Sequence, residues 1–456
     1  MRASRWGQFL LLLVGMAAAW AADAPHTGTL VLSTRGFART SVLDRSAGKE
    51  AITAFRFEVP YGLAPGWRLP YLGFSEGATG TIQLNAVAVT LPGAQPPVPR
   101  LAVTFGGQPG VTVAPNAVVE SDPVDQPVAP GAVVMVWTYY RNQDAHGALP
   151  YMRWGYVDRC DGCLVGDVGT LSADRLGDEA LLRTTAPPAP LFAGAGALIR
   201  SYQPIFITGR PSPAFTGTPL AIGFIGDSIN IAEGDFGRVT PDDPFPARGW
   251  NGRACGVDTP YVVFGQSGSN AGGFLGAQNM ALFKYIFGTG AGDARVSALI
   301  DGYGINELRQ QTKTKAPDKV WRDRLAVADI AHRLGLPYVH TTLTPMRADF
   351  LIFDHTMGDR VARFAAFTAE RNTFNTRVRR ESTNIPGCVG IIDWGQSVET
   401  DPGAGDNLWQ PGVTMEGIHP NTEGFQRMSK VAATAVTALR TRLTPPRKVE
   451  AAPAGK

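Results

Sequence analysis

The hydrophobic pattern changes period part-way along the chain, and that change limits the fold more tightly than any other feature. Over residues 29–208 apolar positions recur every second residue. Phe55, Phe57 and Val59 alternate with Arg56 and Glu58, and Ile82 and Leu84 alternate with Gln83 and Asn85. Successive side chains of a strand point to opposite faces, so this period predicts half-buried strands. Residues 133–139 form a continuous apolar and β-branched run, as expected of a strand buried on both faces. Turn signals such as Leu91-Pro92-Gly93 and Ala129-Pro130-Gly131 separate the runs. The 53 glycines and 35 prolines fit many turns and short strands better than a helical bundle. Residues 25–210 are therefore expected to form an all-β sandwich or jelly roll. The proline- and alanine-rich stretch 184–190 reads as a loop or linker near its end.

After Pro219 short apolar runs alternate with longer stretches of helical spacing. Residues 220–225, 261–264, 298–303, 338–343 and 389–393 read as buried strands, and 274–287, 319–334, 361–380 and 423–443 as helices. Strands alternating with helices predict a parallel sheet covered on both faces, a three-layer α/β domain over residues 215–444. Ligands of such sheets sit beyond the C-terminal ends of the strands. The polar tail 445–456 reads as disordered.

That rule selects which residues can carry chemistry. The first strand runs into Gly226-Asp227-Ser228-Ile229, the second into Gly265-Gln266-Ser267-Gly268, and the third into Gly302-Tyr303-Gly304-Ile305-Asn306. The segment before the last helix holds Glu416-Gly417-Ile418-His419-Pro420-Asn421. All four converge on one sheet edge. A serine there can attack an acyl carbon, with His419 taking its proton and returning it to the leaving alcohol. Backbone N–H groups of Ser228 and Gly268, with the Asn306 amide, can bind the oxyanion, each such donor being worth about 3–4 kcal/mol.

The four blocks resemble the SGNH (GDSL-like) hydrolase family, whose name-giving residues match Ser228, Gly268, Asn306 and His419; the likeness covers roughly residues 219–443. The resemblance implies a flavodoxin-like three-layer α/β/α fold, no cofactor, and hydrolysis of esters or thioesters, often of acetyl or longer acyl groups. Family members usually carry aspartate three residues before the histidine, where this chain has Glu416. Glutamate can orient an imidazole, as Ser-His-Glu triads on other folds do. If Glu416 does not, Asp406 or a backbone carbonyl is left to hold His419. Tyr303 and Trp409 are candidates for stacking on a sugar or acyl group, with core packing as the alternative.

Ser228 could instead cap a helix, Asn306 could serve as a turn residue, and Asp227 is expected to bind local backbone. Gly73-Phe74-Ser75-Glu76-Gly77 matches the G-x-S-x-G elbow in letters, but a Gly/Thr-rich turn and another strand pattern follow it where the motif requires a helix. Asp329-Ile330-Ala331-His332 offers an aspartate version of the His block, but inside a helix and ahead of the fourth strand.

Composition closes off other classes. Lys+Arg 42 against Asp+Glu 39, with no basic cluster among aromatics, argues against a nucleic-acid partner. Arg2, Arg5, an apolar run at 9–19 and Ala19-Trp20-Ala21 read as a signal peptide over residues 1–22. The protein is thus expected in the periplasm or outside the cell, with no membrane span once the segment is removed. In an oxidising compartment Cys160, Cys163, Cys255 and Cys388 read as disulfides, the favoured pairs being 160–163 and 255–388. No second ligand pair supports zinc at Cys160-Asp161-Gly162-Cys163, and no ligand cluster accompanies His340 or His355, so no metal is expected.

The expected function is hydrolysis of acetyl or short acyl esters, on a small molecule or glycan. The carbohydrate part rests on fold-level analogy. An O-acyltransferase that hands the same acyl group to a glycan is the alternative enzyme. A glycan-binding protein with a relic site is the alternative from another class, and it predicts loss of Ser228, Asn306 or His419, all of which are present.

Overall fold

In the computed structural model, the apolar runs beyond residue 219 become five parallel strands, Ile222–Gly226, Tyr261–Gly265, Ala298–Asp301, Tyr338–Thr341 and Cys388–Ile392. The structure describes residues 28–444 except 38–39, 43–46, 75–79, 95–98, 145–148, 153–161, 179, 181–201, 236–248, 311–315, 347–359 and 401–408. The signal-peptide segment, Cys160, the 184–190 linker, most of the Gly73–Gly77 stretch, His355, Asp406 and the tail lie outside the described residues.

Numbered along the chain, the five strands stand in the order 5-4-3-1-2 across the sheet. This is the flavodoxin-like order, whose ligand crevice opens where the first and third strands part. Helices cover the sheet in two groups. Gly249–Cys255 and Trp394–Val398 pack on Thr422–Leu443, while Ala271–Gly276, Ile305–Gln310 and Arg360–Glu381 gather around Ala316–Arg333. The closing helix shows why the layers hold. Its Phe425, Met428, Ala432, Val436 and Leu439 recur at helical spacing and are all buried, the larger ones each worth about 1.5–3 kcal/mol in removed apolar surface. The helix expected over 274–287 is split into Ala271–Gly276 and Ala281–Phe287 by a 3-10 turn, Ala277–Asn279. Gly272, Gly273 and Gly276 weaken that first piece, since glycine costs about 1 kcal/mol against alanine in a helix.

The first half is built on one large antiparallel sheet. Lys49–Val59 pairs with Ala132–Asn142, which pairs in turn with Ile82–Thr90. Gly162–Asp167 extends one edge, and Leu101–Val103 and Val111–Val113 the other. Pro70–Leu72 with Val118–Glu120 forms a separate short ladder. Both faces of the large sheet are covered, one by the main core through Phe55, Phe57, Val134 and Val136, the other by a small cluster of Ile52, Ala88, Met135, Trp137 and Leu176. Glu58, which alternates with the apolar residues of its strand, is also buried, with Thr34 donating to its carboxylate and Arg56 paired with it at 3.2 Å.

The halves share one core. Gly36–Phe37 joins the parallel sheet beside Val262 and Val263, and Leu30–Val31 pairs with Thr208–Gly209. The Tyr61 hydroxyl donates to the Leu220 carbonyl at 2.9 Å and accepts from the Leu220 N–H at 3.1 Å. A strand of two residues carries no periodicity, so nothing in the sequence assigns residues 36–37 to the α/β sheet.

Cys255 and Cys388 do not pair; both are free thiols. Cys255 is buried at the end of its helix near Tyr61 and Arg440, and burial pushes its thiol up. Cys388 opens the edge strand at the far side of the sheet, where its Sγ donates to the Gly390 carbonyl at 3.5 Å. Cys163 lies in the Gly162–Asp167 strand. No helix among the described residues is long and apolar enough to cross a membrane.

Candidate active site

Ser228 stands two residues beyond the first parallel strand. Asp227 is fully buried there, and its Oδ1 accepts the Ile229 N–H at 3.0 Å, the local backbone role expected of it. The Glu233 N–H closes the turn onto the Ser228 carbonyl at 2.9 Å. Residues 228–234 continue as turns, so Ser228 has no adjoining helix to cap. Burial pushes the Asp227 carboxyl up to about 7, against lowering by the Ile229 N–H and with Glu307 adding to the rise.

His419 comes from the loop before the closing helix. That loop folds back on itself: the Met415 N–H and the Thr414 hydroxyl both donate to the His419 carbonyl, at 3.0 and 2.9 Å. Asn421 then caps the helix by accepting the Gly424 N–H at 3.1 Å. The imidazole lies between the two predicted partners. Its Nε2 is 2.9 Å from Ser228 Oγ, and its Nδ1 is hydrogen-bonded to Glu416 Oε1. Ser228 is 4 % exposed and the His419 side chain 13 %, so both are largely buried.

Gly268 and Asn306 arrive at the ends of the second and third strands, as the sequence places them. Gly268 holds φ +72, a left-handed conformation that favours glycine. Among the described residues the backbone N–H groups of Ser228 and Gly268 have no partner. The Asn306 amide is engaged: Nδ2 donates to the Ser269 carbonyl at 3.0 Å and toward Asp227 Oδ2 at 3.3 Å.

The two aromatic candidates are not surfaces for a substrate. Tyr303 is 2 % exposed and lies near Phe274 in the core. Trp409 is buried, and its Nε1 donates to the Gly417 carbonyl at 3.1 Å, bracing the loop that carries Glu416 and His419. A lone aromatic near a motif reads alike as wall or brace, and only the packing separates the two. His340 is likewise a core residue, 0 % exposed, with Nδ1 on the Ser382 hydroxyl at 2.8 Å and burial holding its pKa well below the ordinary value. Asp329 pairs with Arg333 on the surface of the Ala316–Arg333 helix, remote in chain order from the His419 loop.

Several positioning residues carry no motif. Arg324, fully buried, donates from its helix to the Thr341 carbonyl at 2.6 Å and to the Tyr303 carbonyl, and lies 3.6 Å from the Asp301 carboxylate. It thereby gathers the ends of two strands ahead of Asn306. Gly234, at φ +98, presses against the His loop: a Cβ there would stand 2.5 Å from the Pro420 carbonyl and 3.0 Å from His419 Cβ.

Asp235 ties the serine turn to the closing helix. It takes the Arg253 guanidinium on both oxygens, the Gly249 N–H at 2.7 Å and the Thr422 hydroxyl at 3.0 Å. Burial alone would raise this carboxyl, but the bond and charge of Arg253 with the other donors outweigh it and hold the pKa below the ordinary value. A depressed folded pKa stabilises above the unfolded value of about 3.9 and is lost as pH falls through the folded one. Asp235→Asn is expected to cost about 3 kcal/mol at neutral pH, the low end for a broken buried pair because Arg253 keeps some solvent. Its thermal midpoint should also vary less than wild type below about pH 4. Equal midpoints at pH 7 would show the cluster to be structurally idle.

No family model matches the chain, and no curated protein does. Many of its structural neighbours are GDSL and SGNH hydrolases. A GDSL-like lipase from Bacteroides thetaiotaomicron is similar at 15% identity and a TM-score of 0.35, over 48% of this chain and 88% of that one. A family two carbohydrate esterase from Clostridium thermocellum, solved with cellohexaose, is similar at 13% identity and a TM-score of 0.34, over 90% of this chain and 98% of that one. Chemistry at this site has to be read from its own residues.

Proposed function

We propose that the chain is an exported serine esterase of the SGNH (GDSL-like) kind, hydrolysing acetyl or short acyl esters of a carbohydrate through an acyl-enzyme on Ser228. One observation carries the reading: Ser228 Oγ, His419 and Glu416 form a continuous hydrogen-bonded relay at the switch point of the sheet. In it, Nε2 takes the hydroxyl proton while Oγ bonds to the acyl carbon. Glu416 orients the ring and balances the charge the imidazole gains. The N–H groups of Ser228 and Gly268 receive the oxyanion. Asn306 can join them by releasing the longer of its two bonds, the one to Asp227. The tetrahedral intermediate collapses, the bond to the alcohol oxygen breaks, and Nε2 returns its proton to that oxygen. Water repeats the sequence on the acyl-enzyme and releases the acid.

The first half is read as a β-sandwich module framing the substrate, with residues 1–22 removed on export. A relic site has no reason to keep all three members of the relay in contact. An uncharged fluorophosphonate should add one equivalent to the protein, on the Ser228 peptide by mass spectrometry. A p-nitrophenyl ester series should peak at acetyl. Adduct formation elsewhere, or none, counts against the reading.

A further inference from the structure

Glu233 stands inside this site and the relay does not use it. It lies five residues beyond Ser228, with its side chain 17% exposed. Its Oε2 accepts the Ser267 hydroxyl at 2.7 Å and is 3.9 Å from His419 Nε2. Nε2 is the atom that hands its proton to the departing alcohol oxygen, so that oxygen must come within hydrogen-bond reach of it, about 2.6–3.2 Å. A hydroxyl on the neighbouring carbon of the alcohol lies one hydrogen-bond length from the ester oxygen, and so within reach of Glu233. Ser267 fixes one carboxylate oxygen. The other, Oε1, has no protein partner among the described residues.

Among the described residues, Glu416 on the same loop and Glu233 from the serine turn are the carboxylates within 4 Å of the imidazole nitrogens, while the Arg309 and Arg324 charges act on Asp227 at the strand end. An acceptor with negative charge rewards hydroxyl donors on a leaving group and penalises phosphate or carboxylate there.

We propose that Glu233, held by Ser267, recognises the leaving alcohol, and that the substrate is an ester whose alcohol bears a free hydroxyl beside the ester oxygen, as in a partly acylated polyol or sugar. This rests on the esterase reading above and narrows its substrate. The chemistry of the step is unchanged: Glu233 accepts a hydrogen bond and transfers no proton.

The test compares two esters of nearly equal size, 2-hydroxyethyl acetate and n-propyl acetate, on wild type and Glu233→Gln. The readout is the ratio of their kcat/KM values, which a general effect on His419 or on the fold leaves unmoved. A charge-assisted hydrogen bond predicts a wild-type ratio of about 10 or more in favour of the hydroxy ester, falling toward 1 in the variant. A wild-type ratio near 1 overturns the proposal whether or not the variant folds, and so does a ratio that Glu233→Gln leaves intact. If Ser228 takes the phosphonate and both esters are cleaved equally, only this inference fails. If neither ester is cleaved and Ser228 is not labelled, the esterase reading fails with it.

Discussion

Ser228→Ala is expected to lower kcat for p-nitrophenyl acetate on the order of 10⁶-fold while leaving the thermal midpoint close to wild type. Oγ is the atom that His419 Nε2 meets at 2.9 Å, and without it no acyl-enzyme forms and the imidazole has no proton to take. Removing the serine of a comparable triad costs on that scale, and the residue of activity comes from the oxyanion donors and binding. The substitution deletes one oxygen in a turn whose other bonds are made by backbone and Asp227, so folding should be little affected. Rates must be corrected for hydrolysis without protein. Activity equal to wild type after that correction would remove Ser228 as the nucleophile.

Glu416→Gln is expected to cost about 10⁴-fold in kcat with KM nearly unchanged, by analogy with the aspartate-to-asparagine change in a serine triad. Glu416 Oε1 bonds Nδ1, which fixes the tautomer that leaves Nε2 free to accept the serine proton. A glutamine amide can turn its NH₂ to Nδ1 and select the opposite tautomer. The extra methylene that sets glutamate apart from aspartate is accommodated by the folded-back loop, with Trp409 bracing Gly417. A loss below tenfold would mean that another group holds His419.

Much of this arrangement was legible along the chain, for definite reasons. Buried parallel strands are short, continuous apolar runs, and all five were readable within a few residues of their ends. Motif residues sit just after those runs because the C-terminal sheet edge is where a ligand can reach them. The large antiparallel sheet likewise showed in alternation, as at Ile82–Thr90. Burial of Glu58 did not show, because alternation says which side chains share a face but not whether something covers that face.

Glu233, Gly234, Asp235 and Arg324 were illegible for another reason. Each acts on a residue far away in the chain, and in sequence they look like an ordinary acidic turn and an ordinary helix surface. The Cys255–Cys388 pairing failed on the same ground, since two leftover thiols say nothing about the width of the sheet between them.

The sequence by itself determined the parallel α/β half and brought Ser228, Gly268, Asn306 and His419 to one edge of it, because hydrophobic period and strand-end position are local properties. Tertiary structure alone decided that Glu416 meets Nδ1, that the Asn306 amide is held by Ser269 and Asp227, and that Glu233 stands 3.9 Å from His419 Nε2. Those contacts depend on how separate loops pack against one another within a few ångströms, and no spacing along a chain encodes that distance.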